Sequence, residues 1–313
     1  MTLRVALAGC GGWGQNLLRV LVESPRARVV AVADTQPLRR AVAAGLAPEA
    51  AVVATLDEEL AVAPDAVVIA TPPHTHGALA LRALAAGADV FVEKPLATRV
   101  ADAERLVARA ASLGRVGMVG HLLRYHPAVE RLLELARGGA LGALQRFEST
   151  RISISGDRSA SALWTLGPHD FSVLHALDPS PIRAITARAS GSVSGDPVHV
   201  DVELASGLVA AITLSRVGAD KERRLRVIGA PSGLFAALDD VRAPDRVLVA
   251  GSPELVVPWR EPLAVEVDHF LRCVEERARP LTPFEEGLIV VRAIAAAEDS
   301  LRAPSAAWAE PGP

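Results

Sequence analysis

The chain has 313 residues and a formal net charge of -3; half of its residues are apolar and 22% are charged. This composition excludes a disordered chain and is typical of a globular protein of about two domains. The weak net charge excludes a general electrostatic attraction to nucleic acid or to an anionic membrane.

The cysteines and the apolar runs narrow the class of protein further. Cys10 and Cys273 are the two cysteines. They are too few for a disulfide framework or a cysteine metal cluster, so a reduced, cytoplasmic setting is expected. The first residues lack the pattern of a signal peptide, and no apolar run reaches the length that spans a bilayer. We therefore expect neither membrane nor nucleic acid among the partners.

Short apolar runs alternate with helix-like stretches over the first 120 residues. The strand candidates are Leu3–Ala8, Arg28–Ala33, Ala51–Thr55, Ala66–Ala70, Asp89–Val92 and Arg115–Val119. The helix candidates are Gln15–Glu23, Gly77–Ala86 and Arg99–Ser112. Nearly all residues of the strand candidates are apolar, which is typical of strands covered on both faces. The sequence thus predicts an α/β fold in which residues 1–121 form a doubly wound parallel sheet.

The pattern changes after residue 121. Pro127–Arg137 has the spacing of a helix. Strand-like runs follow at Leu144–Ile154, Arg183–Ala189, His199–Leu204, Leu208–Ser215, Arg223–Gly229 and Arg246–Ala250. Their close spacing favours an antiparallel sheet, and two more helices are predicted over Leu263–Arg279 and Phe284–Leu301. We expect a second α/β domain, 122–302, with a large, mainly antiparallel sheet, and a flexible tail, 303–313.

A glycine-rich turn links the first strand candidate to the first helix candidate. Gly9, Gly11 and Gly14 match the pattern G-x-G-x-x-G, and Gly12 and Trp13 stand between the last two. Glycines there permit a tight turn and the close approach of a pyrophosphate, to which the helix N-terminus donates amide hydrogens. A plain tight turn is the alternative. The strand–turn–helix context favours a dinucleotide-binding Rossmann domain with these five residues as cofactor contacts.

Asp34 ends the second strand candidate, 20 residues after Gly14. A carboxylate at this place hydrogen-bonds the ribose 2′-hydroxyl of NAD and repels the 2′-phosphate of NADP. The alternative is an aspartate that caps a helix or closes a turn. Arg39 and Arg40 lie close by in the sequence and could reach a phosphate, so NAD is the predicted cofactor and NADP stays open.

The loop after the fourth strand candidate is predicted to border the cofactor through Thr71, Pro72, His74 and His76, because its prolines hold the backbone in place. The spacing His-x-His is also seen in metal sites, but such sites need three or four ligands and no third one stands at a suggestive distance in the sequence. We therefore predict no metal site.

Glu93 and Lys94 follow the fifth strand candidate, and we expect both beside the cofactor. Lys94 and Lys221 are the only two lysines among the 33 basic residues. An arginine replaces a lysine wherever only a charge is needed, but guanidinium does not release a proton at biological pH. The carboxyl ends of the strands are also where open α/β sheets bind ligands. The alternative is a surface lysine that persisted by chance.

His169 is the second candidate for proton transfer. Pro168 suits the first position of a helix, which places His169 in its first turn. The helix dipole disfavours an imidazolium there, so a neutral ring suited to a general base is expected. The alternative is a capping or core histidine.

Five segments together resemble the Gfo/Idh/MocA oxidoreductases over essentially the whole chain. They are Gly9–Gly14, Ala70–Gly77, Glu93–Pro95, Gly120–Pro127 and Gly167–Asp170. The resemblance implies a Rossmann domain followed by an α/β domain whose large sheet carries the contact of a homodimer or homotetramer. Ala162–Leu174 is similar to the branch of the family that acts on nucleotide-linked amino sugars, such as UDP-N-acetylglucosamine 3-dehydrogenases.

The resemblance also implies a reaction, namely hydride transfer between a sugar carbinol, at C3 of a UDP-linked N-acetylated amino sugar, and NAD. His169 would accept the hydroxyl proton and Lys94 would assist and stabilise the alkoxide, or the two roles would be exchanged. Many family members have an aspartate four residues before this histidine. Here that residue is Thr165, which does not take a proton at neutral pH, so Lys94 and His169 remain as the catalytic pair.

Candidate substrate contacts come from the same segments and from the arginines. They are Arg124, Tyr125, Arg151, Trp164, Thr165 and His169. Arginine forks suit a phosphate or a carboxylate, which also makes Arg158 a candidate, and ordinary surface arginines are the alternative.

Other functions remain compatible with the same sequence features. They are a dehydrogenase of a free sugar or inositol, a nucleotide-sugar ketoreductase that runs in the reducing direction, an NAD-dependent glycosidase and a non-enzymatic NAD sensor. An intact Lys94 and His169 argue against the sensor, which needs neither residue.

Overall fold

The computed structural model describes residues 2–154, 161–190, 196–230, 233–250 and 252–302. Arg158 and the tail 303–313, for which predictions were made above, lie outside the described residues. The chain divides into two compact units, Met1–Arg131 with Val257–Arg292, and Leu132–Val256 with Ala293–Pro313. The domain limits expected from the sequence, 1–121 and 122–302, follow chain order and stay a prediction.

The elements alternate in the first third of the chain and are mostly strands in the middle. The strands are β1 Leu3–Ala8, β2 Ala27–Ala33, β3 Ala51–Val53, β4 Ala66–Ile69, β5 Asp89–Glu93, β6 Gly117–Gly120, β7 Ala143–Ile152, β8 Ile182–Ala189, β9 Val198–Leu204, β10 Val209–Ser215, β11 Glu222–Ala230, β12 Phe235–Asp239, β13 Ala243–Val249 and β14 Leu255–Val256. The helices are α1 Gly12–Glu23, α2 Pro37–Leu46, α3 Leu56–Leu60, α4 His76–Ala85, α5 Val100–Ser112, α6 Pro127–Arg137, α7 Ala162–Thr165, α8 Gly167–Leu177, α9 Pro262–Glu276 and α10 Phe284–Arg302.

The first unit is built on a parallel sheet with the strand order β3-β2-β1-β4-β5-β6. Every residue of β4, β5 and β6 is buried, which explains the uninterrupted apolar runs in the sequence. The strand order reverses direction between β1 and β4, so the carboxyl ends of these strands border the crevice where such sheets bind ligands. The predicted doubly wound fold is confirmed.

Helix α9 belongs to the first unit although it lies far along the chain. Its buried stripe includes Leu263, Val267, Phe270 and Val274, spaced three or four residues apart. The ring of Phe270 meets that of Phe91 on β5 edge to face, with centroids 5.6 Å apart. Burial of each such side chain away from water stabilises the folded state by about 1.5–3 kcal/mol. This apolar stripe is the reason that residues 257–292 join the first unit.

The second unit contains an eight-stranded sheet with the order β14-β13-β12-β11-β7-β10-β9-β8. Its neighbours are antiparallel except β7 and β10, which are parallel. Along β9, Val198, Val200, Val202 and Leu204 are buried and the residues between them are not, so one face of the sheet is covered and the other is open. Helices α7 and α8 pack on β10. The predicted large, mainly antiparallel sheet is confirmed.

Several short elements were not predicted from the sequence, namely α2, α3, α7, β12 and β14. Two of the three helices have only four or five residues, too few for a helical repeat to be recognised. Among the described residues, no helix is long and apolar enough to cross a membrane.

Candidate functional site

In the glycine-rich turn between β1 and α1, the first and last glycines are tightly packed against the backbone, whereas the middle of the turn has free space. Gly9 has φ of +96°, and a Cβ on it would lie 2.7 Å from the carbonyl oxygen of Ala70. A Cβ on Gly14 would overlap the carbonyl oxygen of Gly9, whereas one on Gly12 would meet nothing within 4 Å. The end glycines are therefore required by the fold, and Gly12 leaves room at the amino end of α1 for a ligand to approach the backbone.

Asp34 ties the end of β2 to this turn. Its buried carboxylate accepts hydrogen bonds from the backbone N–H of Cys10 (2.9 Å, Oδ2) and of Gln36 (2.8 Å, Oδ1). Each carboxylate oxygen has two lone pairs, so both keep acceptor capacity for a ribose hydroxyl. A guanidinium nitrogen of Arg39 lies 3.8 Å from Oδ2, and Arg40 donates to the carbonyl oxygen of Asp34 (2.9 Å).

The predicted cofactor residues after β4 divide into exposed and buried ones. Pro72 and His74 are exposed and Thr71 is half-buried, whereas the ring of His76 is buried. Nδ1 of His76 lies 2.8 Å from the carbonyl oxygen of Pro95, and Nε2 lies 2.8 Å from that of Thr71. Burial lowers the pKa of this imidazole, while the two carbonyl oxygens act to raise it. The ring of His76 therefore lies between the loop after β4 and the loop after β5, and its single N–H donates to one of the two carbonyl oxygens.

Glu93 is the most constrained acid of the site. It is 7% exposed, accepts a hydrogen bond from the indole N–H of Trp13, and accepts a second from the backbone N–H of Lys94 (3.2 Å). A Cβ on Gly120 would lie 3.1 Å from the Glu93 carboxyl carbon, so the acid also fills the space that this glycine leaves. Burial raises the pKa of Glu93 to about 7, against the effect of the Lys94 charge and the Trp13 hydrogen bond.

Lys94 is half-buried and directly follows β5. Its charge opposes the increase that burial causes in the pKa of Glu93, and it adds to the decrease that burial causes in the pKa of His76. The first unit thus gathers the amine, a buried carboxyl and a buried imidazole at the carboxyl edge of the parallel sheet. The glycine-rich turn and Asp34 lie at the same edge, because the turn directly follows β1 and Asp34 directly follows β2.

Two predicted substrate residues of the first unit have partners inside the protein. A guanidinium nitrogen of Arg124 lies 2.7 Å from both carboxylate oxygens of Glu286, and both side chains are buried. The hydroxyl of Tyr125 lies 2.9 Å from the hydroxyl of Thr282, which donates to the carbonyl oxygen of Val119. Substrate contacts by Arg124 and Tyr125 stay predictions, and these partners favour structural roles for both.

In the second unit, His169 lies in the first turn of α8 and is half-buried. The next residue, Asp170, is fully buried and accepts hydrogen bonds from Nε (3.1 Å) and Nη2 (3.2 Å) of Arg151 and from the hydroxyl of Ser149 (2.6 Å). This two-bonded ion pair, the Arg151–Asp170 fork, anchors the start of α8 to β7. It thereby fixes the backbone that carries His169. A substrate contact by Arg151 stays a prediction for the same reason as that by Arg124.

The predicted residues Trp164 and Thr165 stand on α7, and both are half-buried. The Thr165 hydroxyl donates to the carbonyl oxygen of Ser161 (2.8 Å). This bond spans one helical turn, so it uses the hydroxyl proton within the helix.

Sequence reasoning missed two acids, Asp170 and Glu266. Asp170 was noticed only as a neighbour of His169. Glu266 is fully buried on α9, between Leu263 and Phe270 on the apolar stripe. A charged residue at a position where the helical repeat requires an apolar one was the signal that could have revealed it.

Known proteins are similar in sequence to two thirds or more of this chain. The sequence pattern of the oxidoreductase family with an NAD-binding Rossmann fold matches residues 3–121. Inositol 2-dehydrogenase 1 of Saccharopolyspora erythraea is 33% identical over 231 residues, which are 68% of this chain and 67% of that enzyme. UDP-N-acetylglucosamine 3-dehydrogenase of Acidithiobacillus ferrooxidans is 30% identical over 249 residues, which are 74% of this chain and 76% of that enzyme.

The chain is a member of the Gfo/Idh/MocA oxidoreductase family. Solved structures agree with this assignment. GenD2 from gentamicin A biosynthesis, in complex with NAD, is 27% identical with a TM-score of 0.83 over 96% of this chain and 95% of that one. The structure of UDP-N-acetylglucosamine 3-dehydrogenase from A. ferrooxidans shares the fold, with a TM-score of 0.88 and 24% identity over 97% of this chain and 99% of that one.

Membership in the Gfo/Idh/MocA family confirms four predictions: the family itself, the fold class, an oxidoreductase of the dehydrogenase type, and NAD as cofactor. The residues present fit NAD. Gly12 leaves open space at the amino end of α1, and the carboxylate of Asp34 keeps lone pairs for a ribose hydroxyl. No group of three or more metal-ligating side chains occurs in the part of the chain that the structure describes.

Proposed function

We propose that this protein is an NAD-dependent dehydrogenase of a sugar carbinol, at C3 of a UDP-linked N-acetylated amino sugar. The observation that carries the proposal is its similarity to UDP-N-acetylglucosamine 3-dehydrogenase, which extends over three quarters of both chains. The similarity of Ala162–Leu174 to that branch supports the same substrate class. The half-buried Lys94 beside the cofactor turn supports a reaction in which a proton moves.

NAD, when bound, supplies the hydride acceptor, and the protein supplies orientation and proton transfer. We assign the pyrophosphate to the amides at the amino end of α1, around Gly11, Gly12 and Trp13, and the ribose hydroxyls to Asp34. Thr71, Pro72 and His74 are assigned to the edge of the cofactor site. His76 acts behind them, because its buried ring lies 2.8 Å from a carbonyl oxygen of each neighbouring loop.

Lys94 and His169 are the proposed proton-handling groups. His169 accepts the proton of the sugar hydroxyl, and Lys94 stabilises the alkoxide that develops. The Arg151–Asp170 fork fixes the helix turn that carries His169, and Glu93 provides a counter-charge for Lys94. The pair acts without the aspartate common in the family, because Thr165 stands at that position and uses its hydroxyl within α7.

The experiment that tests this function is a substrate panel with purified protein. UDP-N-acetylglucosamine, its uronate, free N-acetylglucosamine, glucose and myo-inositol are each offered with NAD and with NADP, and the absorbance of the reduced nicotinamide is followed. We expect turnover with a UDP-linked sugar and NAD, and competitive inhibition by UDP alone. Turnover of the free sugars only, with no effect of UDP, would refute the proposed substrate class.

A second candidate substrate is inositol, because inositol 2-dehydrogenase 1 of S. erythraea is 33% identical to this chain. The same panel separates the two candidates. An inositol dehydrogenase reduces NAD with myo-inositol and ignores UDP, since inositol carries no nucleotide.

We also propose a homodimer or homotetramer that forms through the open face of the eight-stranded sheet. That face exposes Val209 and Leu248 and carries Phe235, over whose ring the Arg226 guanidinium lies at 4.3 Å. Aromatic and arginine side chains together are typical of interfaces between proteins. Leu248→Asp is expected to lower the mass measured by light scattering, while Leu38→Asp, an exposed leucine of α2, should not.

A further inference from the structure

Glu266 is a buried acid with no assigned role. Its side chain is completely buried on α9, and neither carboxyl oxygen has a hydrogen-bond partner among the residues that the structure describes. Its neighbours on the stripe, Leu263, Val267 and Phe270, are apolar. A carboxylate in such surroundings is costly unless it is protonated or paired.

The packing of α9 on β5 brings together the helix face that carries Glu266 and the strand face that carries Glu93. The rings of Phe91 and Phe270 are in contact, with centroids 5.6 Å apart. Glu93 stands two residues after Phe91, on the same face of β5, because side chains alternate along a strand. Glu266 stands one helical turn before Phe270, on the same face of α9. In agreement with this placement, the negative charge of Glu93 raises the pKa of Glu266 further than burial does alone.

The two carboxyl groups differ in the donors around them. Glu93 accepts from the indole N–H of Trp13 and from the backbone N–H of Lys94, and it lies near the Lys94 charge. Glu266 has burial and the charge of Glu93 acting on it, and both favour its neutral form. Two neighbouring carboxyl groups shielded from water do not both ionise. The proton of the pair therefore belongs on Glu266.

We propose that Glu266 is a positioning residue that keeps its proton and donates it in a hydrogen bond to Glu93, so that Glu93 remains the charged partner of Lys94. The part of this inference that concerns Lys94 rests on the proposed function. Glu266 would then supply the third donor to Glu93, after Trp13 and the Lys94 amide. It would stabilise the ionised form of Glu93, whose pKa burial raises.

Other ionisable side chains stand on the elements around the pair. They are Lys94, His121, Arg124, Tyr125, His269 and Glu286. Arg124 and Glu286 form an ion pair with each other. The Tyr125 hydroxyl lies 2.9 Å from that of Thr282, which donates a hydrogen bond to the carbonyl oxygen of Val119. Burial lowers the pKa of His269, whose Nε2 accepts from the backbone N–H of Leu281 (2.8 Å), so a neutral ring is expected there.

The first test measures the proton itself, by infrared spectroscopy of the protein without NAD or substrate. A protonated carboxyl has a carbonyl stretch separate from that of a carboxylate. We expect this band at pH 7 in the parent protein and a loss of part of it in Glu266→Gln. Glu59→Gln is the matched control, because Glu59 is equally buried, also has no hydrogen-bond partner in the described part of the chain, and lies on α3. It should remove a different part of the band. A band that Glu266→Gln leaves intact would overturn the proposal.

The second test measures the effect on Lys94 through the pH profile of kcat/KM. Glu266→Leu removes the donor, so the pKa of Glu93 rises and the acid limb of the profile moves up by about one pH unit. Glu266→Gln keeps a donor, and Glu59→Gln is remote from the pair, so both should keep the parent profile. An unshifted acid limb in Glu266→Leu would overturn the positioning role.

The two tests also separate this inference from the proposed function. The infrared band is read without any substrate. A protein that shows the Glu266 band but oxidises no sugar would refute the proposed function alone. A protein that oxidises the UDP-sugar but shows no such band would refute the proposal for Glu266 alone.

Discussion

The indole N–H of Trp13 donates a hydrogen bond to the carboxylate of Glu93. Trp13 belongs to the glycine-rich turn and is 41% exposed, whereas Glu93 is buried at the end of β5. One hydrogen bond thus connects the residues proposed to hold the pyrophosphate with the acid next to Lys94. We infer that cofactor binding at the turn and the charge near Lys94 are not independent of each other.

Replacement of Lys94 separates charge from proton transfer. Lys94→Arg keeps the charge but loses the transferable proton, so we expect it to lower kcat about as much as Lys94→Met, by roughly 10²-fold or more. NAD binding, measured by calorimetry, should change little in either variant. Lys221→Arg is the matched control and should keep full activity. A fully active Lys94→Arg would mean that the amine is only a counter-charge.

Alanine substitution at two glycines of the turn should affect different properties, NAD affinity at Gly12 and stability at Gly9. Gly12→Ala has open space around the new methyl group, so the melting temperature should stay near that of the parent protein. NAD affinity should fall, because the methyl group occupies the approach to the backbone. Gly9→Ala should lower the melting temperature, since its φ is +96° and its Cβ would press on the backbone of Ala70. Equal NAD affinity in Gly12→Ala and the parent protein would contradict this assignment of the pyrophosphate.

The Arg151–Asp170 pair should contribute strongly to stability. Both side chains are buried, so Arg151→Ala leaves an unpaired acid in the interior and should cost about 3–5 kcal/mol in the free energy of unfolding. Arg146, on the same strand, pairs with Glu148 at the surface, and Arg146→Ala should cost no more than about 1 kcal/mol. Urea denaturation of the two variants measures the difference. Similar costs would show that the fork does not anchor α8.

Glu59 should make stability depend on pH. Burial raises its pKa well above the ordinary value of 4.5, so the folded protein holds this proton after the unfolded chain has lost it. The free energy of unfolding therefore falls as pH rises above 4.5, by about 1.4 kcal/mol per pH unit for this group, until the folded pKa is reached. Glu59→Gln should flatten this slope above pH 4.5. An unchanged slope would show that Glu59 ionises normally.

Much of the first unit could be predicted because its signals are local. The apolar strands, the glycines and the Glu93–Lys94 step are all contiguous in the sequence, and the strand β1 has the bounds that its apolar run predicts. The role of Glu266 could not be predicted, because it depends on which helix packs on Phe91. That contact joins residues far apart in the chain, and no local pattern specifies it.

The arginines show the same limit from the other side. Arg124 and Arg151 looked like anion ligands because a guanidinium is recognised by its type, whereas its partner is set by the fold. Glu286 and Asp170 became visible as partners only in three dimensions. In an arginine-rich chain, the sequence shows where the guanidinium groups are but not which carboxylate or ligand each one binds.

The membership of α9 in the first unit has a consequence for how the protein is made. A ribosome releases residues 1–131 long before residues 257–292, yet Phe270 and its neighbours cover Phe91 and part of the β-sheet. The apolar surface of the nascent nucleotide-binding unit therefore stays exposed to water until α9 leaves the ribosome. A fragment that ends near residue 121 would keep that surface permanently, and would be prone to aggregate rather than to bind NAD.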